Sequence, residues 1–456
     1  MDSPKCQTVT VSPAKPGDFP SLVKNYFPAL AGRGERAGMT ERGQGRIAQI
    51  DVLRGFAVLG VYWIGVGAFG LPYGANALPT LLGTPSTLNL AIWASTEVYM
   101  EAAVRGVFSM LFGASALILL AEDRLASDGV AQVDRFFRRN LSLMLFGVVH
   151  AYLLLWPHDV LYAYGLLGMF IFPLRRAPAL ALFLSGVALQ VVADVEIDWG
   201  LVLGWLRGLP QAPDGAMAAA GAAPEEGVRF LNWLRAQMMQ DIQSYRSGYL
   251  DIFAAQVGEV AAQQSTVFYK RHLYEIGGMM MIGMALYRWG VLSGRSHWVL
   301  YLGLAVLGFG VGGWLRGADV YQIWALGFDP LTLVRLEEGD PDLGRLPVAL
   351  GHVGLIGLLC RWGRAGWLTS PLAATGRLAL THYISQTVFS IFLFYGLGFG
   401  LFGTLERWQL ALICLGVWAF QIGFSVLWLQ RYRYGPLEWL WRSLIYGRAQ
   451  PMRVAG

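Results

Sequence analysis

Two residues capable of acid–base chemistry, His150 and Asp159, flank the turn Trp156-Pro157-His158 inside an apolar stretch, RRNLSLMLFGVVHAYLLLWPHDVLYAYGLLGMFIFPLRR, that runs from Arg138 to Arg176. A turn this short between two helical segments returns the carboxylate to the depth of the imidazole. Asp159 can then orient and charge-stabilise His150, or His158, as the carboxylate does in an acid–base dyad. The same residues also suit a hydrogen-bonded clasp that only fastens the hairpin.

Other ionisable groups in apolar surroundings call for a partner or a role, because each costs roughly 3 kcal/mol on insertion scales. Asp51 and Arg54 stand three residues apart at the head of DVLRGFAVLGVYWIGVGAFG and can pair on one helix face. They are either an orientation anchor or, with Arg377 and Glu438 of YGPLEWLWRS, part of a shared cytoplasmic cluster lining a pocket. Glu97, Glu101 and Arg105 recur every four residues at the external end of the second apolar segment. That spacing suits a polar wall facing a cavity better than a stripe facing lipid. Tyr164 is an interfacial aromatic or a cavity donor. His382 and Gln386, in TGRLALTHYISQTVFSIFLFYG, are candidate substrate contacts whose default role is interhelical packing.

The elements that must carry these residues follow from composition. Of 456 residues, 55% are hydrophobic and 14% charged, against about 25% charged in soluble domains; mean hydropathy is +0.46. This is the profile of an all-α, polytopic membrane bundle, since only helices and closed barrels satisfy the backbone in lipid and the apolar runs are continuous rather than alternating. Ten runs are long enough to be counted as spans: 51–72, 97–121, 140–156, 159–174, 178–203, 267–289, 297–314, 346–362, 372–397 and 408–430. The Arg pairs at both ends of the hairpin, 138–139 and 175–176, put those ends on the cytoplasmic side. Counting outward places both termini inside.

Residues 1–48 form a polar leader without the apolar core of a signal peptide, and disorder is expected there. A five-span half, 49–203, is followed by an external connector, 204–266, whose stretch from Val228 to Gln264 has the spacing of amphipathic helices. A second five-span half covers 267–448, with a tail at 449–456. GVFSMLFGAS and GGMMMIGMAL carry small residues at close-packing spacing and read as helix contact faces; such faces also allow a homodimer. The three cysteines lack metal-ligand or CxxC spacing, so no metal site is expected. No Walker loop, GxSxG elbow, HExxH or CxxCH is present. Nucleic acid is not an expected partner; the bilayer and a small-molecule or lipid substrate are.

IDVLRGFAVLG, GAFGLPYG, FSMLFGAS, the His150 hairpin, GMMMIGMALYRWG, TGRLALTHYISQTV and WLQRYRYGPLEWLWRSLIYG together resemble the YeiB-type membrane proteins, whose C-terminal half is the domain of unknown function DUF418. That family is distantly similar to the transmembrane acyltransferases that include heparan-alpha-glucosaminide N-acetyltransferase. The resemblance implies a bundle in a bacterial cytoplasmic membrane that moves an acyl group from cytosolic acyl-CoA, as co-substrate, to an acceptor at the opposite face. No tightly bound cofactor is implied. His150 and Asp159 would be the catalytic pair, and Arg54 and Arg377 would face donor phosphates. The chain departs from the family pattern at Gly65, where an Asn is common, and at Thr381-His382-Tyr383, where the family has LTNY. The alternative is a transporter or exporter in which Asp51, Glu97, Glu101 and Asp159 handle the substrate or a coupling ion.

Overall fold

The computed structural model describes residues 48–101, 103–122, 129–194, 224–328 and 343–454. Their regular elements are all helices, and the sole β pairing among them is an isolated bridge between Tyr432 and Arg453. The leader expected at 1–48 and the first part of the connector, 204–223, lie outside the described residues except for Ala48.

Helix α1 (Ala48–Gly70) is the axis of the bundle: it packs against α3 (Ala103–Glu122), α12 (Gly366–Arg377), α13 (Ala379–Phe394) and α14 (Arg407–Trp428). Between α1 and α3 lies α2 (Thr87–Tyr99), started by Ser86, whose hydroxyl accepts from the Asn89 amide at 3.3 Å. The hairpin consists of α4 (Gly129–Val148), a π-helical turn at Val149–Leu153, and α5 (Leu161–Phe170). Helix α6 (Ala179–Asp194) packs on the later helix Leu273–Arg288. The amphipathic connector is present as α7 (Pro224–Tyr245) and α8 (Tyr249–Gln264). Helices α9 (Leu273–Arg288), α10 (Trp298–Ala325) and α11 (Arg345–Arg361) follow. Helix α14 opens on a capping box between Glu406 and Gln409, and α15 (Pro436–Tyr446) begins on proline and ends at Gly447, at φ 63°.

The two small-residue faces meet each other. Gly113 of α3 lies against the Met280 backbone and Gly283 of α9 against the Met110 backbone, where a side-chain carbon on either glycine would collide with a carbonyl. The helices therefore touch at backbone distance, and Met110, Ala114, Met280 and Ala285 are fully buried around the crossing.

Four described helical runs are long and apolar enough to cross a membrane: α1, Thr87–Leu120 (which takes in α2 and α3), α10 and α14. Helices α11 and α12 supply a fifth if they are one span bent by 94°. Three further apolar helices, in α5, α6 and α13, are shorter, and the expected spans 140–156 and 267–289 fall in neither group, so the described residues do not reach the expected count of ten. The expected single run 372–397 is divided: Leu378, at φ −111° and ψ 25°, leaves the helical region and separates Arg377 on α12 from His382 on α13. Glu97, Glu101 and Arg105 likewise do not share one regular helix. The ladder changes at Met100, where the Met100 and Glu101 amides both donate to the Thr96 carbonyl. Outward faces of α10 and α14 expose Leu307, Trp314, Phe420 and Leu427, which suits hydrocarbon and not water.

Gly283→Ala should lower thermal stability in detergent, by about 1–3 kcal/mol from overpacking. Gly310→Ala, on an exposed face with no atom near the added carbon, should leave stability unchanged or raise it by up to about 1 kcal/mol. Equal effects of the two substitutions would refute the close crossing.

Candidate functional site

The hairpin brings His150 and Asp159 together as their spacing predicts. The imidazole Nδ1 lies 2.7 Å from Asp159 Oδ1, and the other carboxylate oxygen accepts from the Tyr162 amide at 2.9 Å. Three local features make this possible. The π-helical turn re-aims His150, a device common at functional sites. Leu155 takes a positive φ of 50° to reverse the chain, a backbone state that costs a non-glycine residue of order 1–3 kcal/mol. Gly147 leaves room for Asp159, since a side-chain carbon there would strike Asp159 Oδ2 and the Tyr162 nitrogen.

A third member was not visible in the sequence. Thr387 of α13 places its hydroxyl 2.8 Å from His150 Nε2. Carboxylate, imidazole and hydroxyl form one chain, with both side chains of the His–Asp pair at 1% exposure or less. If Nδ1–H donates to Asp159, Nε2 accepts from Thr387, and the imidazole is held in the tautomer a general base needs.

Beside this chain lies a cavity of about 220 Å³. Its walls come from α1, α3, α4, α5, α12, α13 and α15, and Tyr383 belongs to one of them. The Tyr383 ring meets the His150 ring edge-on, with centroids 4.9 Å apart, so the imidazole stands one side chain behind the cavity wall. The cavity is mostly apolar but carries Arg54, Arg105, Arg139, Arg377 and Glu438, four guanidiniums to one carboxylate.

These groups are held differently. Arg54 donates to Asp51 Oδ1 at 3.1 Å and to Ser115 Oγ at 3.2 Å. Arg105 pairs with Glu101 at 3.1 Å. Arg377 donates to the Arg433 carbonyl at 3.3 Å. Glu438 accepts from the Thr381 amide at 3.0 Å and its hydroxyl at 2.5 Å. Burial nonetheless holds the Glu438 carboxyl above its ordinary pKa, against those hydrogen bonds. Arg139 sits over the faces of Phe112 and Trp441, at 4.5 and 5.5 Å from the ring centroids. Tyr164 lines the same cavity, stacked on Phe108 and Phe112, with its hydroxyl 2.9 Å from Ser109 Oγ.

A smaller cavity, about 40 Å³, lies further along α1 and is lined by Trp63, Asn76, Thr96, Glu97, Glu101 and Arg407 among others. The expected polar wall is therefore shared out: Glu97 and Glu101 face the small cavity and Arg105 the large one. Asp51 stays behind Arg54 and lines neither. His382 and Gln386 also line neither; His382 Nε2 meets Ser425 Oγ at 2.6 Å, and Gln386 donates to Gln421 at 2.9 Å and to the Val58 carbonyl at 3.3 Å. Both fasten α13 to its neighbours. His158 is part-exposed and reaches Glu259 of α8 at 3.4 Å, away from the dyad. Among the described residues no cluster of His, Cys, Asp or Glu could hold a metal.

Sequence reading passed over Arg139 because it sits in the basic flank that fixes orientation. Its neighbour Arg138 is half-exposed and pairs with Asp134 at 2.8 Å. Adjacent helix positions point about 100° apart, so one of two consecutive arginines can face outward while the other turns into the bundle. Glu275 and Arg345 were missed as well; they form a buried pair at 2.9 Å, joined by Arg271 at 3.4 Å.

A family model described as "Protein of unknown function (DUF418)" matches residues 286–448. "Uncharacterized protein YeiB" of Escherichia coli (strain K12) is 30% identical over 411 residues, 89% of this chain and 98% of that protein. The chain belongs to the YeiB family. A second relative, "Uncharacterized protein YxaH" of Bacillus subtilis (strain 168), is 26% identical over 423 residues, covering 89% of this chain and 96% of that protein. A third relative, "Uncharacterized 39.9 kDa protein in amylase 3'region" of Bacillus acidopullulyticus, is 23% identical over 429 residues, 89% of this chain and 96% of its own length. No solved structure matches. YeiB-type sequence thus extends over both halves of the bundle, with the DUF418 match confined to the second.

Asp159→Ala strands a buried imidazole nitrogen and the Tyr162 amide and should cost about 1–3 kcal/mol of stability. Asp159→Asn retains an acceptor and should cost less. Thermal unfolding in detergent reads both, and equal losses would contradict the hydrogen-bond account.

Proposed function

We propose that this YeiB-family chain is a membrane-embedded acyltransferase of the bacterial cytoplasmic membrane, with ten segments crossing or entering the bilayer and both termini in the cytoplasm. The observation that carries this reading is the packing of the His150–Asp159–Thr387 chain against the wall of a cavity that is mostly apolar and carries four guanidiniums to one carboxylate. A thioester donor has matching parts: an acyl group and pantetheine arm for the apolar walls, and phosphates for the guanidiniums.

In the reaction, an acceptor amine or hydroxyl attacks the thioester carbonyl carbon while His150 Nε2, released from Thr387, takes its proton. The C–S bond breaks, a C–N or C–O bond forms, and the imidazolium returns the proton to the leaving thiolate. Asp159 stabilises the imidazolium throughout. Tyr383, between the imidazole and the cavity, must turn aside for the acceptor to reach the base.

Transport is a second reading, supported by the arrangement of the two cavities along α1, one holding Glu101 and the other its partner Arg105. A transporter would use that pair as the gate between them.

Thiol release from acetyl-CoA by purified protein in liposomes separates the readings. Acyl transfer requires thiol release that His150→Gln lowers by about 100-fold or more, with the folded state retained. Undiminished release in His150→Gln would remove the imidazole from the mechanism. Solute flux without any covalent change would replace the acyltransferase reading with transport.

A further inference from the structure

The cavity arginines are not equivalent, and the difference points to a ligand. Arg54 and Arg105 have carboxylate partners on their own helix or the adjoining turn. Arg139 has none among the described residues, although it is 8% exposed and its Nη1 is buried without a hydrogen-bond partner. Its stabilisation is by faces: Phe112 on one side and Trp441 nearby, the indole being fixed by donating to the Arg139 carbonyl at 3.2 Å and Ser142 Oγ at 3.1 Å. Ring contacts of this type attract the cation but leave in-plane N–H donors unused. A buried guanidinium with unused donors is costly unless an anion completes it.

We propose that Arg139 is the seat of a phosphate ester carried on an apolar arm, the ester being bound by the guanidinium fork and the arm lying along Leu111, Leu143, Leu161 and Val58. Arg54, which the family resemblance would have facing donor phosphate, is already engaged by Asp51 and Ser115. With Asp51 and Glu101 counted beside the arginines they pair, four guanidiniums still exceed three carboxylates around the cavity, which favours a phosphate over a neutral head group. Two sources share this chemistry: the phosphopantetheine arm of an acyl thioester, and the head of a single-chain lipid phosphate. The inference deepens the acyl-donor reading of the same cavity, and its test is arranged to separate the two.

The test is thermal unfolding of the full chain in a maltoside detergent, titrated separately with dodecyl phosphate, dodecanol, coenzyme A and pantetheine; a ligand of the folded state raises apparent stability. A saturable shift from dodecyl phosphate or coenzyme A, absent with the phosphate-free counterpart, is expected, and Arg139→Met should weaken it by about tenfold or more, with Arg139→Lys intermediate. Where Arg139→Met does not fold, Leu111→Trp, which fills the cavity beside the arm, should abolish the shift instead. Dependence on Arg139 or the filled cavity with dodecyl phosphate alone supports the phosphate seat and removes the thioester donor. The same dependence with coenzyme A supports both. Coenzyme A binding that neither substitution alters overturns the Arg139 seat and leaves the donor reading standing. No saturable phosphate-dependent shift, or equal shifts with dodecanol, overturns the inference.

Discussion

A guanidinium placed between apolar helices has no water to solvate it, and its donors must be met by groups that the same helices supply. Much of the interior is organised by that requirement. Arg345 of α11 is met by Glu275 of α9, which also receives Arg271; Arg316 of α10 donates to the Glu97 carbonyl at 2.8 Å; Arg54 reaches both Asp51 and Ser115. These contacts connect α1, α2, α3, α9, α10 and α11. Their net contribution to stability is small, because desolvation offsets most of the attraction, but each fixes which helix faces meet. Apolar packing alone would tolerate several rotations of such smooth helices.

The same constraint explains why the hairpin is irregular. A straight α4 would carry His150 away from α5. Widening the helix to a π turn, reversing the chain through Leu155 and keeping Gly147 bare together allow a carboxylate nine positions on to reach the imidazole. The strain is local, and it is offset by hydrogen bonds that use both carboxylate oxygens and both ring nitrogens.

What could be read from the sequence was what is local along the chain. The His150–Asp159 contact follows from a short turn, and the pairs Asp51–Arg54 and Glu101–Arg105 follow from helical spacing. The convergence of Arg54, Arg377 and Glu438 also emerged, because each stands at the end of an apolar segment on one predicted side; Asp51, grouped with them, stays outside the cavity. Thr387 was invisible because it meets His150 from 237 residues away. The break at Leu378 and the 94° bend between α11 and α12 were hidden because hydropathy reports the length of an apolar run and not its direction. Arg139 was hidden by its company: a basic pair satisfies the orientation rule whichever way either side chain points.

The dyad and the cavity constrain each other chemically. An imidazole held by a buried carboxylate is a competent base only while its other nitrogen can be reached, and here a threonine hydroxyl occupies that nitrogen with a tyrosine ring between it and the cavity. A permanently open base beside the cavity would invite water to compete with any acceptor. Closing the base behind Tyr383, on the same helix as Thr387 and one turn before it, links exposure of the imidazole to movement of a single helix face that also lines the ligand cavity. A ligand filling that cavity presses on Tyr383 directly. In the proposed acyl transfer, occupancy by the arm of the donor would be the trigger for freeing the base, and the chemistry would run with donor first and acceptor second.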